Sequence, residues 1–399
     1  MRVAVVAEYY PRRRDPVLGV WAHRQALATR EAGADVSVFA LERPVPPAAA
    51  LRSPGKLARA VVGAASQPRH DELDGLDVEY VRFVAPSRER SYTSWDSWAR
   101  GPLGKALRRA HEQQPLDLVH AHYALPAGAA ALEFAEQERL PLAISVHGGD
   151  VLGPLVSTPQ ARARIAEVLA RASVVLCNSR GTLERCAELT GSAERMTVVH
   201  LGADPPAERP DKRGEPTIVT VGHLVARKRH ADVMRALAVL VGRMPKLRWL
   251  VIGEGPERPA LERLAAQLGV AARVDWAGQL AHDEALGELA RCHVMAMPSV
   301  DEAFGVAYIE ALACGVPAIG CAGESGPEEI AAAGEGMLLV PPRDPDSLAQ
   351  TLAGVLEDPA RGNELGRAAA ATAAEHFSWE HCGRETLAAY ERAIAEGPR

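Results

Sequence analysis

Hydrophobic positions along the chain form short apolar runs that alternate with segments of helical spacing. The first run, Val3 to Ala7, precedes a loop and a helix expected from Val20 to Ala32. Gly33 ends that helix before a second apolar run, Val36 to Ala40. Short, continuously apolar runs are typical of parallel strands that are buried on both faces. The pattern therefore predicts an α/β fold of the Rossmann-like type.

The same alternation restarts once, near the middle of the chain. The segment Pro206 to Pro216 is polar and rich in proline, and it lacks an apolar period, so a domain boundary is expected there. We place the domains at residues 1–207 and 208–379. The strands expected after the first two are Leu116 to His120, Leu142 to Val146, Val174 to Asn178, Thr197 to His200, Thr217 to Gly222, Leu247 to Gly253, Val274 to Gly278 and His293 to Met297.

Composition excludes several classes of protein. The 399 residues, 47% of them hydrophobic, suffice for two cores. A net charge of -6 argues against a nucleic-acid partner. The apolar runs are all shorter than the roughly 18 residues of a membrane span. Six scattered cysteines without a CxxC pair favour reduced, buried thiols and a cytoplasmic location. Between residues 41 and 76, a shift to Pro, Ala, Arg and Ser predicts a mobile excursion.

The stretch from Pro298 to Gly320 carries the strongest chemical signal. A buried strand precedes it, and apolar residues at helical spacing follow, which predicts a strand, a turn and a helix. At the helix start, Phe304, Gly305 and Val306 would offer free N–H groups. Such groups and the helix dipole together favour a phosphate.

Two carboxylates bracket that helix start. Glu302 precedes the helix, and Glu310 lies within it, eight positions later. At helical rise this spacing separates them by about 12 Å and leaves them on roughly one side. A nucleotide-diphospho-sugar across the helix end would place its phosphates at the N–H groups. One carboxylate would then accept hydrogen bonds from sugar hydroxyls and the other from ribose hydroxyls.

Cationic residues follow the first strand of the second domain. Arg227 and Lys228 lie in a predicted strand-to-helix turn that also contains His223. Cations in such a turn suit a diphosphate because they neutralise the charge that grows on a leaving group. An exposed basic turn without function is the alternative.

In the first domain, polar residues follow two of the predicted strands. His122 comes just after one strand, and His147 and Asp150 follow the next. The carboxyl ends of parallel strands are where open α/β sheets bind ligands, so these turns are candidates for a cleft. The first loop contains Gly19 but no GxGxxG pattern, which argues against a dinucleotide site.

These residues resemble the conserved blocks of family 4 glycosyltransferases, which are retaining enzymes of the GT-B fold. The resemblance rests on Pro-Ser, Glu302, Phe304-Gly305, Glu310-Ala311 and the run Ala313 to Pro317, and on the blocks DLVHAHY and SVHGGDV. One departure is Ala303, where the family often has Gly. The resemblance implies two Rossmann-like domains with parallel sheets facing a central cleft. The domain 1–207 would bind the acceptor and 208–379 the donor, and a final helix, 380–399, would pack back on the first domain.

The resemblance also implies roles for individual residues. His147 would contact the donor sugar or leaving group, Lys228 the β-phosphate, and Gln279 would lie near the base. His223 stands where the family has Arg. Either His223 binds as a donor, Arg227 compensates, or catalysis is weakened. Gly19, His122 and Asp150 would lie in the cleft or near the acceptor.

The implied reaction is transfer of a sugar from a UDP- or GDP-sugar to a hydroxyl of a glycan, a lipid-linked molecule or a small molecule, as in polysaccharide or glycolipid synthesis. The resemblance implies no metal and no cofactor. The pattern Asp344-Pro345-Asp346 is better explained as a helix N-cap than as a metal site. A GT-B epimerase, a phosphorylase or sucrose-type synthase, and a non-catalytic nucleotide-sugar-binding subunit remain alternatives.

A basic stretch from Ser91 to Ala110 contains Trp95 and Trp98. Aromatic and basic residues together suggest peripheral contact with the inner face of a membrane, where a lipid-linked acceptor would lie. A half-buried helix with a solvated basic face is the alternative interpretation.

Overall fold

The structure is a computed structural model that describes all residues except 14, 45–52, 54, 56–57, 60–61, 63–65, 154–155, 209 and 399. It divides into two units, Met1–Leu201 with Trp379–Arg399, and Gly202–Ser378. The division falls six residues before the boundary expected at 207. Much of the mobile excursion predicted between residues 41 and 76 lies outside the described residues.

The first unit is built on a sheet whose described strands follow the order β3-β4-β2-β1-β5-β6-β7-β8. All neighbours are parallel except β3 and β4, which form an antiparallel hairpin at one edge. The fully apolar strands are buried on both faces, as parallel strands between helix layers must be. The strands are β1 (Arg2–Ala7), β2 (Asp35–Glu42), β3 (His70–Leu73), β4 (Leu76–Arg82), β5 (Leu118–His122), β6 (Leu142–Val146), β7 (Val174–Cys177) and β8 (Met196–Val198).

Helices cover the strands of the first unit. They are α1 (Val20–Glu31), α2 (Arg88–Ser91), α3 (Trp95–Gln113), α4 (Ala129–Gln137), α5 (Pro159–Arg171), α6 (Arg180–Thr190) and, after the second unit, the last long helix Trp379–Glu396. That last helix packs on α1, where a Cβ on Gly383 would lie 2.2 Å from the carbonyl oxygen of Ala28. The Tyr390 hydroxyl also lies 2.6 Å from Nδ1 of His120.

The second unit contains an all-parallel sheet in the order β11-β10-β9-β12-β13-β14. The strands are β9 (Thr217–Val221), β10 (Arg248–Ile252), β11 (Val274–Gly278), β12 (Val294–Ala296), β13 (Ala318–Cys321) and β14 (Met337–Val340). The helices of the second unit are α7 (His230–Leu240), α8 (Arg258–Gln267), α9 (His282–Ala290), α10 (Val306–Ala313), α11 (Ser325–Ala333), α12 (Pro345–Leu356) and α13 (Pro359–His376). The last helix of the chain, Trp379–Glu396, which belongs to the first unit, is α14. The predicted α/β class with two parallel-sheet domains is confirmed.

Two predictions about strands need correction. The strand expected from Leu116 to His120 runs from Leu118 to His122, because its pairing with β1 continues until Ala7 meets His122. The β3–β4 hairpin is absent from the predicted strands because polar residues interrupt its apolar pattern. Its turn, Asp74-Gly75, has positive φ at both residues and is a common hairpin signal.

Candidate functional site

In the second unit, the loops after β9 and β12 bring the predicted cations to a carboxylate. Lys228 ends a short 3-10 helix, Ala226–Lys228, and its Nζ lies 2.5 Å from Oε2 of Glu302. The guanidinium of Arg227 lies 3.5 Å from the same oxygen. The backbone joins the loops as well, since the N–H of Val300 donates to the carbonyl of Arg227 at 2.9 Å. Three predicted site residues therefore meet at one point.

Glu302 is almost completely buried and is held by further hydrogen bonds. The Ser299 hydroxyl donates to its Oε2 at 2.9 Å, and its own N–H donates to Glu324 Oε2 at 2.9 Å. Burial alone would raise the pKa of Glu302, but the charges of Lys228 and Arg227 outweigh burial and hold this pKa below its usual value. The carboxylate is therefore ionised at neutral pH.

Gly305 sets the start of α10. Its φ is 92°, and a Cβ there would lie 2.4 Å from the ring of Tyr308, so a side chain is excluded. The N–H of Tyr308 donates to the Gly305 carbonyl at 2.9 Å, so the helix ladder leaves the N–H groups of Gly305, Val306 and Ala307 without an intrahelical acceptor. The free N–H groups therefore begin at Gly305 and not at Phe304, one residue later than expected.

Phe304 differs from the expectation. Its side chain is 1% exposed and packs against Phe377, with ring centroids 5.9 Å apart. A Cβ on Gly326 would lie 2.4 Å from the Phe304 backbone, so α11 begins directly against this residue. Phe304 therefore anchors the loop to the core. The departure at Ala303 costs no backbone strain, because the residues with positive φ in this turn are Asp301 and Gly305.

Glu310 lies within α10 and is largely buried. Burial raises its pKa to about 7. Nδ1 of His282, at the start of α9, lies 3.8 Å from its Oε1. A carboxyl group with this pKa changes its charge close to physiological pH, which is typical of functional sites.

The other predicted donor-binding residues are more exposed. His223 follows β9 and Gln279 follows β11, and both side chains face solvent. In the sheet order, β11 is the edge strand and is separated from β9 by β10. Gln279 is therefore about 10 Å along the sheet from the Lys228 loop. The structure places both residues at the carboxyl edge and shows no direct contact of either with the Lys228–Glu302 pair among the described residues.

In the first unit, the two predicted histidines form a pair. Nδ1 of His122, the last residue of β5, lies 2.9 Å from Nε2 of His147, which directly follows β6. The ring planes are parallel to within 3°. A hydrogen bond between two imidazoles requires that one ring nitrogen carries the proton and the other accepts it. The pair thus fixes one ring's tautomer relative to the other.

Both rings are neutral at physiological pH. Burial lowers the pKa of His147 to about 3. Burial, and secondarily the neighbouring histidine charges, holds the pKa of His122 well below its usual value. Nε2 of His122 and Nδ1 of His147 are buried and have no hydrogen-bond partner among the described residues. The pair therefore retains one unused donor and one unused acceptor.

Aromatic rings surround His147. Its centroid lies 6.2 Å from that of Trp21 and 5.2 Å from that of Tyr123, and Tyr9 lies 5.2 Å from Tyr123. Gly19 allows this arrangement, because a Cβ there would lie 2.1 Å from the carbonyl oxygen of Tyr9. Gly19 has a φ of 68° and immediately precedes α1, which carries Trp21. The predicted Gly19 thus shapes the wall beside His147.

Asp150 is fully buried and braces the two histidine turns. One carboxylate oxygen accepts the N–H of Ala124 at 3.0 Å and the other accepts that of His147 at 3.4 Å. Burial raises its pKa to about 7, although these backbone hydrogen bonds oppose the shift. At 0% exposure Asp150 cannot touch a substrate directly. Asp150 therefore acts on a substrate only indirectly, because it holds the turn that carries His147.

Sequence reasoning missed a second polar cluster after β1. The buried Glu8 accepts a hydrogen bond from Arg88 at 3.1 Å and another from the Tyr92 hydroxyl. The Arg88 guanidinium lies 4.0 Å from the centroid of the Tyr92 ring. The only available signal was a charged residue at the end of an apolar strand.

The stretch with Trp95 and Trp98 departs from the expectation. Trp95 is 5% exposed and packs against Phe83, with centroids 5.7 Å apart, whereas Trp98 is 51% exposed. Arg109 on the same helix pairs with Glu79. The membrane-contacting surface expected from both tryptophans is therefore wrong for Trp95, which belongs to the core.

The Asp344 carboxylate accepts the N–H of Ser347 at 2.9 Å and so caps α12, as predicted. Among the residues that the structure describes, no helix has the length and apolar character needed to cross a bilayer.

Comparison with known proteins gives matches in both units. Residues 206–372 match the family model described as "Glycosyl transferases group 1", and residues 18–202 match "Glycosyl transferase 4-like domain". The D-inositol 3-phosphate glycosyltransferase of Rhodococcus opacus is 31% identical, over 94% of this chain and 85% of its own. A GDP-mannose-dependent alpha-(1-6)-phosphatidylinositol monomannoside mannosyltransferase of Mycolicibacterium smegmatis is 31% identical over 60% of this chain and 67% of its own.

Solved structures resemble the chain in fold. Sucrose-phosphate synthase from Thermosynechococcus elongatus aligns with a TM-score of 0.75 at 20% identity, covering 99% of this chain and 100% of that one. Anabaena HepE in complex with UDP-glucose aligns with a TM-score of 0.72 at 19% identity, covering 97% and 98%.

Proposed function

The chain belongs to the group 1 glycosyltransferases, and from this membership we propose how it recognises its donor and which residues carry out the transfer. It is a transferase that moves a sugar from a nucleotide diphosphate to a hydroxyl acceptor. We propose that the donor is a UDP- or GDP-sugar, that the anomeric configuration is retained, and that no metal or cofactor takes part. The meeting of Lys228, Arg227 and Glu302 beside the start of α10 is the observation that carries the proposal.

The donor's diphosphate would lie against the start of α10. There the N–H groups of Val306 and Ala307 have no intrahelical acceptor, and the helix dipole favours an anion. Lys228 and Arg227 supply positive charge within reach of the same place. As the sugar–phosphate bond breaks, negative charge grows on the β-phosphate, and these groups stabilise it without reorganisation.

The two carboxylates would hold the two rings of the donor. Glu302 is ionised and accepts hydrogen bonds, so it suits sugar hydroxyls that donate. Glu310 lies about one turn inside α10 and would accept hydrogen bonds from the ribose diol. Its pKa of about 7 makes this contact dependent on pH. His223 fills the position of the family's arginine as a hydrogen-bond donor, with Arg227 supplying the permanent charge.

In the first unit, His147 would donate to or accept from a sugar hydroxyl, and its buried Nδ1 would have to become accessible for that contact. The aromatic wall of Trp21, Tyr9 and Tyr123 suits the apolar face of a sugar or polyol ring. The relative from Rhodococcus opacus is named for a phosphorylated inositol, which supports a small polyol or a glycan as acceptor. The departing phosphate itself would accept the acceptor's proton.

The deciding experiment is a screen of UDP- and GDP-sugars by thermal shift, followed by mass spectrometry of products with polyol, glycan and lipid-linked acceptors. A new glycoside with retained anomeric configuration, formed in the presence of EDTA, is the expected result. Interconversion of the donor without transfer would favour the epimerase, reversible release of a donor with a small acceptor would favour a phosphorylase or sucrose-type synthase, and binding without turnover would favour the non-catalytic subunit. Loss of turnover in EDTA would contradict metal independence.

Peripheral contact with the inner face of a membrane, and hence a cytoplasmic location, is a separate proposal supported by the exposed Trp98. In sedimentation with vesicles of anionic lipid, Trp98→Ser should lower the bound fraction, because an interfacial aromatic residue would be lost. Val239→Ser, which removes an exposed apolar residue of the second unit, is the control. Equal sedimentation of wild type and Trp98→Ser would reject membrane contact without affecting the proposed reaction.

A further inference from the structure

A cavity of about 810 Å³ lies in the second unit, away from the Lys228–Glu302 pair. Two of its lining residues, Pro216 and His293, directly precede β9 and β12. Lys228 and Glu302 follow the carboxyl ends of the same two strands. Because β9 is five residues long, the two edges of the sheet are about 15 Å apart. The cavity is therefore distinct from the proposed donor site.

Two glycines let the helices that line the cavity pack closely. Gly366 on α13 approaches the end of α10 so closely that a Cβ would lie 2.6 Å from the carbonyl oxygen of Gly315. A Cβ on Gly362 would likewise lie 3.0 Å from the carbonyl oxygen of Val355. The helices thus meet backbone to backbone. The apolar part of the lining includes Pro210, Pro216, Ala290, Val355, Leu356, Pro359 and Ala370.

The polar part of the lining includes three side chains that donate hydrogen bonds, and Asn363, which offers both donors and an acceptor. Lys212 uses one N–H to reach the carbonyl of Cys292 at 2.7 Å, which leaves two. Nδ1 of His293 accepts the N–H of Thr217 at 3.2 Å, so the neutral ring carries its proton on Nε2. Burial lowers the pKa of His293, which favours that neutral form. Arg367, an exposed residue of α13, also lines the cavity.

Charge distinguishes this cavity from the rest of the molecule. The protein carries a net charge of -6, yet the lining of the cavity includes Lys212 and Arg367 and contains neither Asp nor Glu. The nearby Asp358 is engaged as the N-cap of α13, where it accepts the N–H groups of Ala360 and Arg361. An anion entering the cavity would therefore meet cations and donors without a competing carboxylate in the lining. Apolar surface beside them would hold an apolar body.

We propose that this cavity is a second ligand site and that its ligand is a small amphipathic anion. Lys212, Arg367 and Nε2 of His293 hold the anionic head group, and Val355 and Leu356 contact the apolar body. The volume is in the range of about 300–1,000 Å³ that small-molecule sites occupy. The ligand contacts both α13 and the segment from Pro210 to Pro216, and so it ties that segment to the helix.

Calorimetric titration of the full chain with hexyl phosphate, below its micelle concentration, tests the proposal. Hexyl phosphate should bind at least about tenfold more tightly than inorganic phosphate or hexanol, because it alone of the three has both an anionic head group and an apolar chain. Hydrogen exchange in residues 210–216 and 359–370 should slow on binding. Saturating UDP should not displace it. No binding up to about 10 mM, or displacement by UDP, would overturn the proposal.

Three variants localise the site. The double variant Lys212→Ala, Arg367→Ala should bind hexyl phosphate at least about tenfold more weakly. Arg361→Ala, which removes an exposed cation of the same helix outside the lining, should bind as wild type does. Ala370→Trp fills the apolar part and should also weaken binding, with both cations retained. Unchanged affinity in both the double variant and Ala370→Trp would refute the site, and ligand-free melting curves establish that each variant is folded.

Discussion

The ammonium of Lys228 lies 2.5 Å from the carboxylate of Glu302, and the two groups form a buried ion pair. Each was expected to hold a different part of a nucleotide sugar. Burial lowers the pKa of Lys228, and the charge of Glu302 opposes that shift. Removing one partner of such a pair leaves the other buried and uncompensated. Variants at either position therefore affect binding, catalysis and stability together, and their controls must separate these effects.

Lys228→Ala should reduce turnover about a hundredfold or more, because the β-phosphate loses its main source of positive charge. Single-turnover kinetics with saturating donor measure the effect. Arg235→Ala is the matched control, since Arg235 is a cation of the neighbouring helix that pairs with Asp232. A turnover within about threefold of wild type would mean that the leaving phosphate lies elsewhere.

Glu302→Gln should weaken the hold on Lys228 while preserving shape and hydrogen bonding. We expect the fold loss in turnover to exceed the fold loss in affinity for free UDP or GDP. The carboxylate would contact the sugar, and free UDP and GDP carry no sugar. Comparing the dissociation constant of the nucleotide with kcat for the sugar nucleotide tests this split. Equal losses in both quantities would place Glu302 at the nucleotide instead.

Glu310 should make the stability of the second unit depend on pH. Its pKa rises from 4.5 to about 7 in the folded chain, so the fold favours the protonated form. This stabilising contribution is complete below pH 4.5 and is lost as the pH rises through 7. The loss amounts to about 3 kcal/mol. Urea unfolding at pH 5 and pH 8 should show it as a smaller pH dependence in Glu310→Gln than in wild type, because buried Asp150, whose pKa is also raised to about 7, contributes equally to both proteins.

Glu364→Gln, which changes an exposed carboxylate of α13, provides the control and should keep the wild-type dependence. If wild type and Glu310→Gln respond alike to pH, the burial of this carboxyl group has no energetic consequence. Glu310→Gln should also weaken nucleotide binding by about 1–3 kcal/mol at pH 8, because a charged acceptor of the ribose is lost.

His122→Phe should lower turnover about tenfold while leaving the affinity for the nucleotide nearly unchanged, because His147 loses the hydrogen bond that fixes its tautomer. Nitrogen chemical shifts of labelled His147 report the tautomer directly and separate this cause from a general loss of structure. His122→Asn, which restores a polar partner, should recover part of the activity. A tautomer unchanged in His122→Phe would disprove the positioning role.

His223→Arg should preserve or raise activity if His223 merely occupies a position where a cation is useful. The measurement is kcat/KM with the preferred sugar nucleotide. His223→Ala gives the baseline and should be the least active of the three proteins. A collapse of activity in the arginine variant would show that the imidazole has a task of its own.

The chain's local pattern was sufficient to predict the α/β class, most strands and the position of the Pro298–Gly320 turn. Short continuous apolar runs, such as Val3 to Ala7 in β1, are typical of parallel strands buried on both faces. Gly305 is required by a helix start that excludes a side chain. For the same reason the capping role of Asp344 was predictable, since a cap depends on neighbours three residues away. The blocks shared with family 4 glycosyltransferases indicated the candidate functional residues, whose roles stay predictions.

Tertiary structure decided which of those residues meet. Lys228 and Glu302 are 74 positions apart, and the contact between them depends on β9 and β12 being neighbours in the sheet. The same holds for His122 and His147, and for the burial of Trp95, which the helical pattern could not distinguish from the exposed Trp98. Hydrophobic periodicity specifies which face of an element is buried, but strand order and loop closure determine the partners that face one another.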